Sequence, residues 1–335
     1  MNNMKLNPEL EKLNQEAVLI SQSYDLYRKL LEESIDTVRK NPVNSLFIDN
    51  VIELHYNGNF IFIGDIHGDY YTLLDVMNRI WGLLENSIFI FLGDYIDRGY
   101  MQVETLAFLL KLKNTYQDRV ILLRGNHEPP RWLIPHPHDY PLELRSRFST
   151  SGESLYELSI NLFDNLPLVA YKKNHFIALH GGPPLRVLRA NSFHEAFTAG
   201  ASEDCRDIVE DVLWSDPVDT DIEYSTSPRG AGVLYGPSIT NKALEFIEGR
   251  FIVRGHEAVN GVRVSHNGRV ITIFTSPIVY GLKCGGLLFY EYRESLNEYE
   301  MIKLCYNLLS KEMLIFNNSL KNRDLRLGFK HAGTI

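Results

Sequence analysis

The sequence predicts an α/β chain folded as one domain around two sheets, and three observations carry the prediction. Five apolar, β-favouring runs, at 60–63, 88–92, 120–123, 176–179 and 251–253, each end in a short polar motif. Runs this apolar throughout read as strands covered on both faces. Asp65, Asp94 and Asn126 follow the first three runs at intervals of roughly 30 residues, the length of one strand–helix–strand crossover. Alternating apolar and polar residues return at 262–265, 270–274, 287–292 and 299–304, and these read as the later strands of a second sheet.

The elements follow in order. From Leu13 to Val38, apolar or aromatic residues recur at alternating three- and four-residue steps, an amphipathic helical stripe compatible with one helix or two. Asn41-Pro42 stops it. A helix packed on the domain behind it is the plainer reading, and a docking or autoinhibitory helix is the sharper one. Between the site motifs, Leu73, Leu74, Met77, Ile80, Trp81 and Leu84 form one helical face, and Val103, Leu106, Ala107 and Leu110 form another. Right-handed crossovers of this kind make neighbouring strands parallel, so their carboxyl ends collect side by side.

After Glu128 five prolines fall between 129 and 141, which excludes regular helix and predicts a rigid surface loop. His136 and His138 lie among them and read as surface residues outside any site. A helix follows with Leu155, Leu158, Leu162, Phe163 and Leu166 inward, closed by Pro167. The stretch 204–236 is loop-rich, and Thr240 to Gly249 carries cap residues for a short helix. No boundary has linker composition. Residues 1–44 are expected as a helical segment packed on the core, 45–316 as the catalytic domain, and 317–335 as a polar tail.

Composition narrows the class. A chain of 335 residues with 44% hydrophobic and 23% charged content has ample core for one large domain. A net charge of −8 argues against nucleic acid as the main partner. No apolar run reaches membrane-spanning length, and the first residues lack the order of a signal peptide. The three cysteines, Cys205, Cys284 and Cys305, have no CxxC spacing, so neither a disulfide framework nor a thiolate zinc site is indicated. A cytoplasmic location is the expectation.

The chemistry sits in the strand-end motifs. Asp65, His67, Asp94, Asn126, His180 and His256 are two carboxylates, an amide and three imidazoles. That mixture suits manganese, iron or zinc better than calcium, which takes oxygen ligands. Six donors exceed what one tetrahedral ion with an open position uses, and they suit two ions sharing a bridging carboxylate. Any one of them alone would read as a cap or a satisfied polar group; six at five equivalent strand ends do not.

Gly64-Asp65-Ile66-His67-Gly68, Gly93-Asp94-Tyr95-Ile96-Asp97-Arg98-Gly99 and Gly125-Asn126-His127-Glu128 resemble the three signature motifs of the phosphoprotein phosphatase (PPP) family, metal-dependent serine/threonine phosphatases within the calcineurin-like metallophosphoesterases. The resemblance continues through Leu166-Pro167-Leu168, His180-Gly181-Gly182, Leu213-Trp214-Ser215-Asp216-Pro217, Arg229-Gly230 and Arg254-Gly255-His256, and covers roughly residues 45 to 295. It implies a β-sandwich of two mixed sheets flanked by helices, with a dinuclear metal site at the strand carboxyl ends. Asp65, His67 and Asp94 would hold one divalent or mixed-valence ion, and Asp94, Asn126, His180 and His256 the other, with manganese in vitro and iron or zinc as alternatives. A hydroxide shared by the ions would attack phosphorus. His127 would protonate the leaving oxygen with Asp97 orienting it, and Arg98, Arg229 and Asn126 would bind the phosphoryl oxygens. Arg124 reads as structural.

The substrate implied is a phosphoprotein or phosphopeptide; a regulatory subunit has no support in the residues. The pattern departs after Ser276-Pro277, where Ile278-Val279-Tyr280-Gly281 stands in place of Asn-Tyr-Cys-Gly, so the tyrosine that overhangs the site is displaced by one position. Alternatives are a small-molecule phosphoesterase such as a dinucleoside polyphosphatase, a dual-specificity phosphatase that also takes phosphotyrosine, and a catalytically dead scaffold. The Asp97-Arg98 pair and Glu128 favour the protein-directed branch, and the complete ligand set disfavours the scaffold.

Overall fold

The structure, a computed structural model, describes residues 6–198, 205–293, 298–307 and 313–317. It opens on α1 (Pro8–Ser21) and α2 (Tyr24–Val38). The amino-terminal stripe is thus two helices. Asn7 caps the first, and the Ser23 hydroxyl accepts from Leu26 N–H to start the second. There follow β1 (Ser45–Ile48), β2 (Val51–Leu54), β3 (Asn59–Ile63), α3 (Tyr70–Ile80), β4 (Ser87–Phe91), α4 (Gln102–Thr115) and β5 (Val120–Leu122). The middle of the chain forms α5 (Tyr140–Phe148), α6 (Gly152–Asp164), β6 (Val169–Lys172), β7 (Phe176–Leu179), α7 (Phe193–Phe197) and α8 (Arg206–Trp214). Then come β8 (Asp216–Pro217), β9 (Tyr224–Thr226), β10 (Val233–Tyr235), α9 (Pro237–Glu245), β11 (Phe251–Arg254), β12 (Val262–Ser265) and β13 (Val270–Ile273). The last described strands are β14 (Cys284–Arg293), β15 (Glu298–Asn307) and β16 (Met313–Asn317).

Two mixed sheets face one another. One has the order β1-β2-β6-β7-β11-β13-β12, the other β16-β15-β14-β3-β4-β5, and a small sheet β8-β10-β9 stands beside them. Alternation along each strand builds the layers. Phe60 and Phe62 of β3 point between the sheets, where they meet Phe176, Phe251 and Ile271, while Ile61 and Ile63 point outward into the layer formed with α1 to α6. On the far side, Ile177, Leu179, Ile252 and Val270 pack against α7, α8 and α9. The strands of the five runs, β3, β4, β5, β7 and β11, are buried on both faces, and that is why those runs carry no polar alternation.

β3, β4 and β5 are parallel neighbours, as the crossover spacing requires. The later strands divide differently from the expectation of a common second sheet. β12 and β13 join β11, but β14 pairs antiparallel with β3, so β14, β15 and β16 extend the sheet of β3, β4 and β5. Alternation fixes which face of a strand is buried; it does not name the neighbour. The loop-rich reading of 204–236 misses α8, and the helix expected from Thr240 starts earlier, at Pro237. Cys284 takes part in a disulfide, which the cysteine spacing does not announce. The expected tail beyond Asn317 lies outside the described residues.

Candidate active site

The carboxyl ends of β3, β4 and β5 in one sheet meet those of β7 and β11 in the other. A parallel bridge between Asp65 and Phe274 joins the sheets there, and Ser276 N–H donates to the Asp65 carbonyl (3.0 Å). The turns after β4 and β5 run so close that a Cβ at Gly125 would collide with Asp94. His67 (φ 49°), Asp94 (56°), Asp97 (66°), Arg98 (73°) and His256 (69°) all hold left-handed backbone. Each such residue costs on the order of 1 kcal/mol and persists where surrounding contacts over-determine it.

Glu128 supplies many of those contacts. Wholly buried, it accepts from Asp94 N–H (2.8 Å) and Gly125 N–H (3.0 Å) through Oε2 and from Tyr95 N–H (2.8 Å) through Oε1. Sequence reasoning read it as the end of a motif and a mark of the protein-directed branch, without this bracing role. Arg124 donates to the Glu128 carbonyl (2.7 Å) and to Asp164 (2.7 Å), the structural place expected of it.

The six predicted donors come together and are buried. His67 Nδ1–H donates to the Ile96 carbonyl (2.9 Å) and His180 Nδ1–H to that of Leu92 (2.8 Å), which fixes both rings and turns each Nε2 into the cluster. His67 Nε2 lies 3.5 Å from Asp94 Oδ2 and 3.9 Å from Asp65 Oδ2. His180 Nε2 lies 3.3 Å from Asp94 Oδ1, and Asn126 Oδ1 lies within 3.0 Å of His180 Nε2 and 2.9 Å of His256 Nδ1. Two groups have ligand atoms within 4.8 Å of one another, His67 with Asp94 and His127, and Asp94 with His180 and His256. Asp94 belongs to both.

The cluster fits cations. Asp65 Oδ2 and His256 Nε2 are buried with no hydrogen-bond partner. Burial, with Asp94 beside it, raises the Asp65 carboxyl to about 7. Burial lowers His67 to about 4 and holds His256 well below the ordinary histidine value. Burial thus disfavours the charged form of each of these groups, and an imidazole kept neutral has a ring nitrogen available to ligate a cation.

Beside the cluster, burial would lower His127, but the carboxylates of Asp94 and Asp97 outweigh it and raise its pKa. His127 Nδ1–H donates to Asp97 Oδ2 (2.5 Å), and Arg98 Nη2 approaches His127 Nε2 (3.4 Å). Arg98 donates to the Pro137 carbonyl (2.9 Å) rather than to Asp97. Arg229 donates to Asp216 Oδ2 (2.6 Å), whose Oδ1 is held by buried Arg254 (2.9 Å) and lies 3.9 Å from His256 Nε2. The displaced Tyr280 still overhangs: its ring lies 5.9 Å from that of His67, and its hydroxyl bonds Arg98. His136 is exposed as expected. His138 is not a surface residue: it is nearly buried, and its Nδ1 lies 2.7 Å from Asp97. No periodicity signals that contact.

A two-sheet sandwich that gathers carboxylate, amide and imidazole donors at its strand ends has the arrangement of a candidate two-metal centre. Residues 58–260 match the Calcineurin-like phosphoesterase family. The chain belongs to that family, and within it to the phosphoprotein phosphatases whose motifs it carries. It is 32% identical to a probable serine/threonine-protein phosphatase of Encephalitozoon cuniculi, over 71% of this chain and 51% of that protein. It is 35% identical to the PP2A-like serine/threonine-protein phosphatase PPG1 of Candida albicans, over 67% and 52%. With the serine/threonine-protein phosphatase 4 catalytic subunit of Kluyveromyces lactis it shares 33% over 77% and 85%. The match thus spans about half the length of the first two relatives. The fold also resembles a Saccharomyces cerevisiae protein serine/threonine phosphatase with similarity to human phosphatase PP5 (TM-score 0.66, 22% identity, 84% of this chain and 89% of that one). No helix among the described residues is long and apolar enough to cross a membrane.

Proposed function

We propose that this chain is a metal-dependent serine/threonine protein phosphatase acting on phosphoproteins in the cytoplasm, with residues 45–316 as its catalytic domain and 1–44 docked on it. The observation that carries the reading is the His127–Asp97 pair beside a buried donor cluster with two unpartnered ligand atoms. Asp65, His67 and Asp94 would hold one divalent or mixed-valence cation, and Asp94, Asn126, His180 and His256 a second. Manganese in vitro, or iron or zinc, suits these donors. When bound, the pair supplies Lewis acidity toward the phosphoryl group and activates solvent near neutral pH.

The chain's own groups do the rest. Arg98 and Arg229 offer guanidinium donors to the phosphoryl oxygens, and Asn126 adds a contact. Asp97 holds His127 through Nδ1, which turns Nε2 toward Arg98, the side from which the phosphoryl group would be gripped. The carboxylates of Asp94 and Asp97 raise the His127 pKa, which favours the protonated form that helps a seryl or threonyl alkoxide depart. Matched phosphoserine, phosphothreonine and phosphotyrosine peptides, with diadenosine tetraphosphate as comparator, test the reading in manganese buffer. Turnover of the first two is expected, with a loss of roughly 100-fold or more in His127→Asn. Preference for phosphotyrosine or for the dinucleotide, or full activity in His127→Asn, refutes it.

A further inference from the structure

The proline-rich segment before α5 carries a histidine that this chemistry leaves unused. His138 Nδ1–H donates to Asp97 Oδ2 (2.7 Å), and its Nε2 pairs with the Tyr156 hydroxyl (3.0 Å). The same Oδ2 accepts from His127 Nδ1 (2.5 Å), while Oδ1 accepts from Asp139 N–H (2.7 Å) and Tyr140 N–H (2.9 Å). Three of the four donors on this carboxylate come from one short stretch of chain. That stretch also reaches Arg98: the Pro137 carbonyl accepts from Nη1 (2.9 Å) and Asp139 Oδ2 from the Arg98 N–H (3.4 Å). Tyr140 in turn is anchored by Tyr27 of α2 (2.7 Å) and Ser159 of α6 (3.0 Å) through its hydroxyl. Two backbone N–H groups hold Oδ1, and the His138 donor, from the same anchored stretch, shares Oδ2 with His127 and fixes where that oxygen stands toward the imidazole.

We propose that His138 is a positioning residue that, through Asp97, holds the His127 imidazole in the orientation that delivers a proton to the leaving oxygen. This rests on the role given to His127 above. Asparagine places an amide donor where Nδ1 stands and glutamine places one where Nε2 stands, so His138→Asn keeps the Asp97 bond and His138→Gln keeps the Tyr156 bond.

Two substrates separate positioning from general damage: a phosphoserine peptide, whose alkoxide needs an acid, and p-nitrophenyl phosphate, whose phenolate leaves with little help. In His138→Gln, kcat on the peptide is expected to fall roughly tenfold with KM unchanged, and on the aryl ester less than about threefold. His138→Asn is expected to recover most of the peptide activity. Equal losses on both substrates, a change confined to KM, or an asparagine variant no better than glutamine overturns the proposal. His127→Asn run alongside distinguishes the failures. If it loses far more on the peptide than on the ester while His138→Gln does not, only the role of His138 falls. If His127→Asn shows no such difference, the acid assignment falls and takes this inference with it.

Discussion

At Asp211 burial and hydrogen bonding pull in opposite directions. Burial pushes the carboxyl up to about 7, the Leu185 N–H at 2.8 Å pulls it down, and Glu210 and Asp207 push it further up. The folded chain therefore holds a proton that the unfolded chain releases near the usual 3.8. The stabilising contribution is complete below about pH 4 and is lost as pH rises through about 7. Asp211→Asn keeps an acceptor for Leu185 and removes the charge. It is expected to exceed the parent by about 1–2 kcal/mol at pH 8 and to match it near pH 4.5, allowing for partial solvent access. Urea midpoints at the two pH values measure this, and a pH-independent difference would contradict it. Residues of this kind are only partly legible in sequence. The six donors were, because each motif is local to one strand end. His138 was not, because its partner Asp97 lies 41 positions away and the choice of partner belongs to the path of the loop.

Helix α4 shows the same limit at the scale of an element. Its spacing marks one apolar face, yet the structure buries Val103 to Leu110 entirely, polar positions included. One side lies on the sheet, and α1 and α2 cover the other, with Glu104 paired to Arg147 and bonded by Ser21. A helix buried all round needs a cover, and α1 and α2 pack on α4 as that cover, sharing its apolar cluster. Leu31 is fully buried in α2, whereas Leu26, earlier in the same helix, is 40% exposed. Leu31→Ala is expected to cost about 2–4 kcal/mol and Leu26→Ala less than about 0.5 kcal/mol. Chemical denaturation compares them; equal, small effects would mean that α2 is not part of the cooperative unit.

For the whole molecule, the apolar runs and the later alternating segments foretold two sheets in one domain, but the division of strands between them is a long-range choice that no local pattern records. That division matters at the site. Asp65, Asp94 and Asn126 follow strands of one sheet, and His180 and His256 follow strands of the other. Any cation among them cross-links the two sheets. The unfolded chain does not assemble such a site, so binding adds to folding stability by about 2.7 kcal/mol when free metal is 100 times its Kd. At about 2–4 °C per kcal/mol for a large domain, adding manganese to chelator-treated protein should raise Tm by roughly 5–10 °C. Asp65→Asn reverses sign between the two states. Without metal it removes a buried carboxyl that has one unpartnered oxygen and keeps the acceptor for His256 N–H, so its Tm should be no lower than the parent's. With metal it should lose most of the increment, while Asp36→Asn on the exposed side of α2 keeps all of it. Thermal melts with and without manganese decide the matter: an Asp65→Asn increment as large as the parent's would place the cations somewhere other than the seam between the sheets.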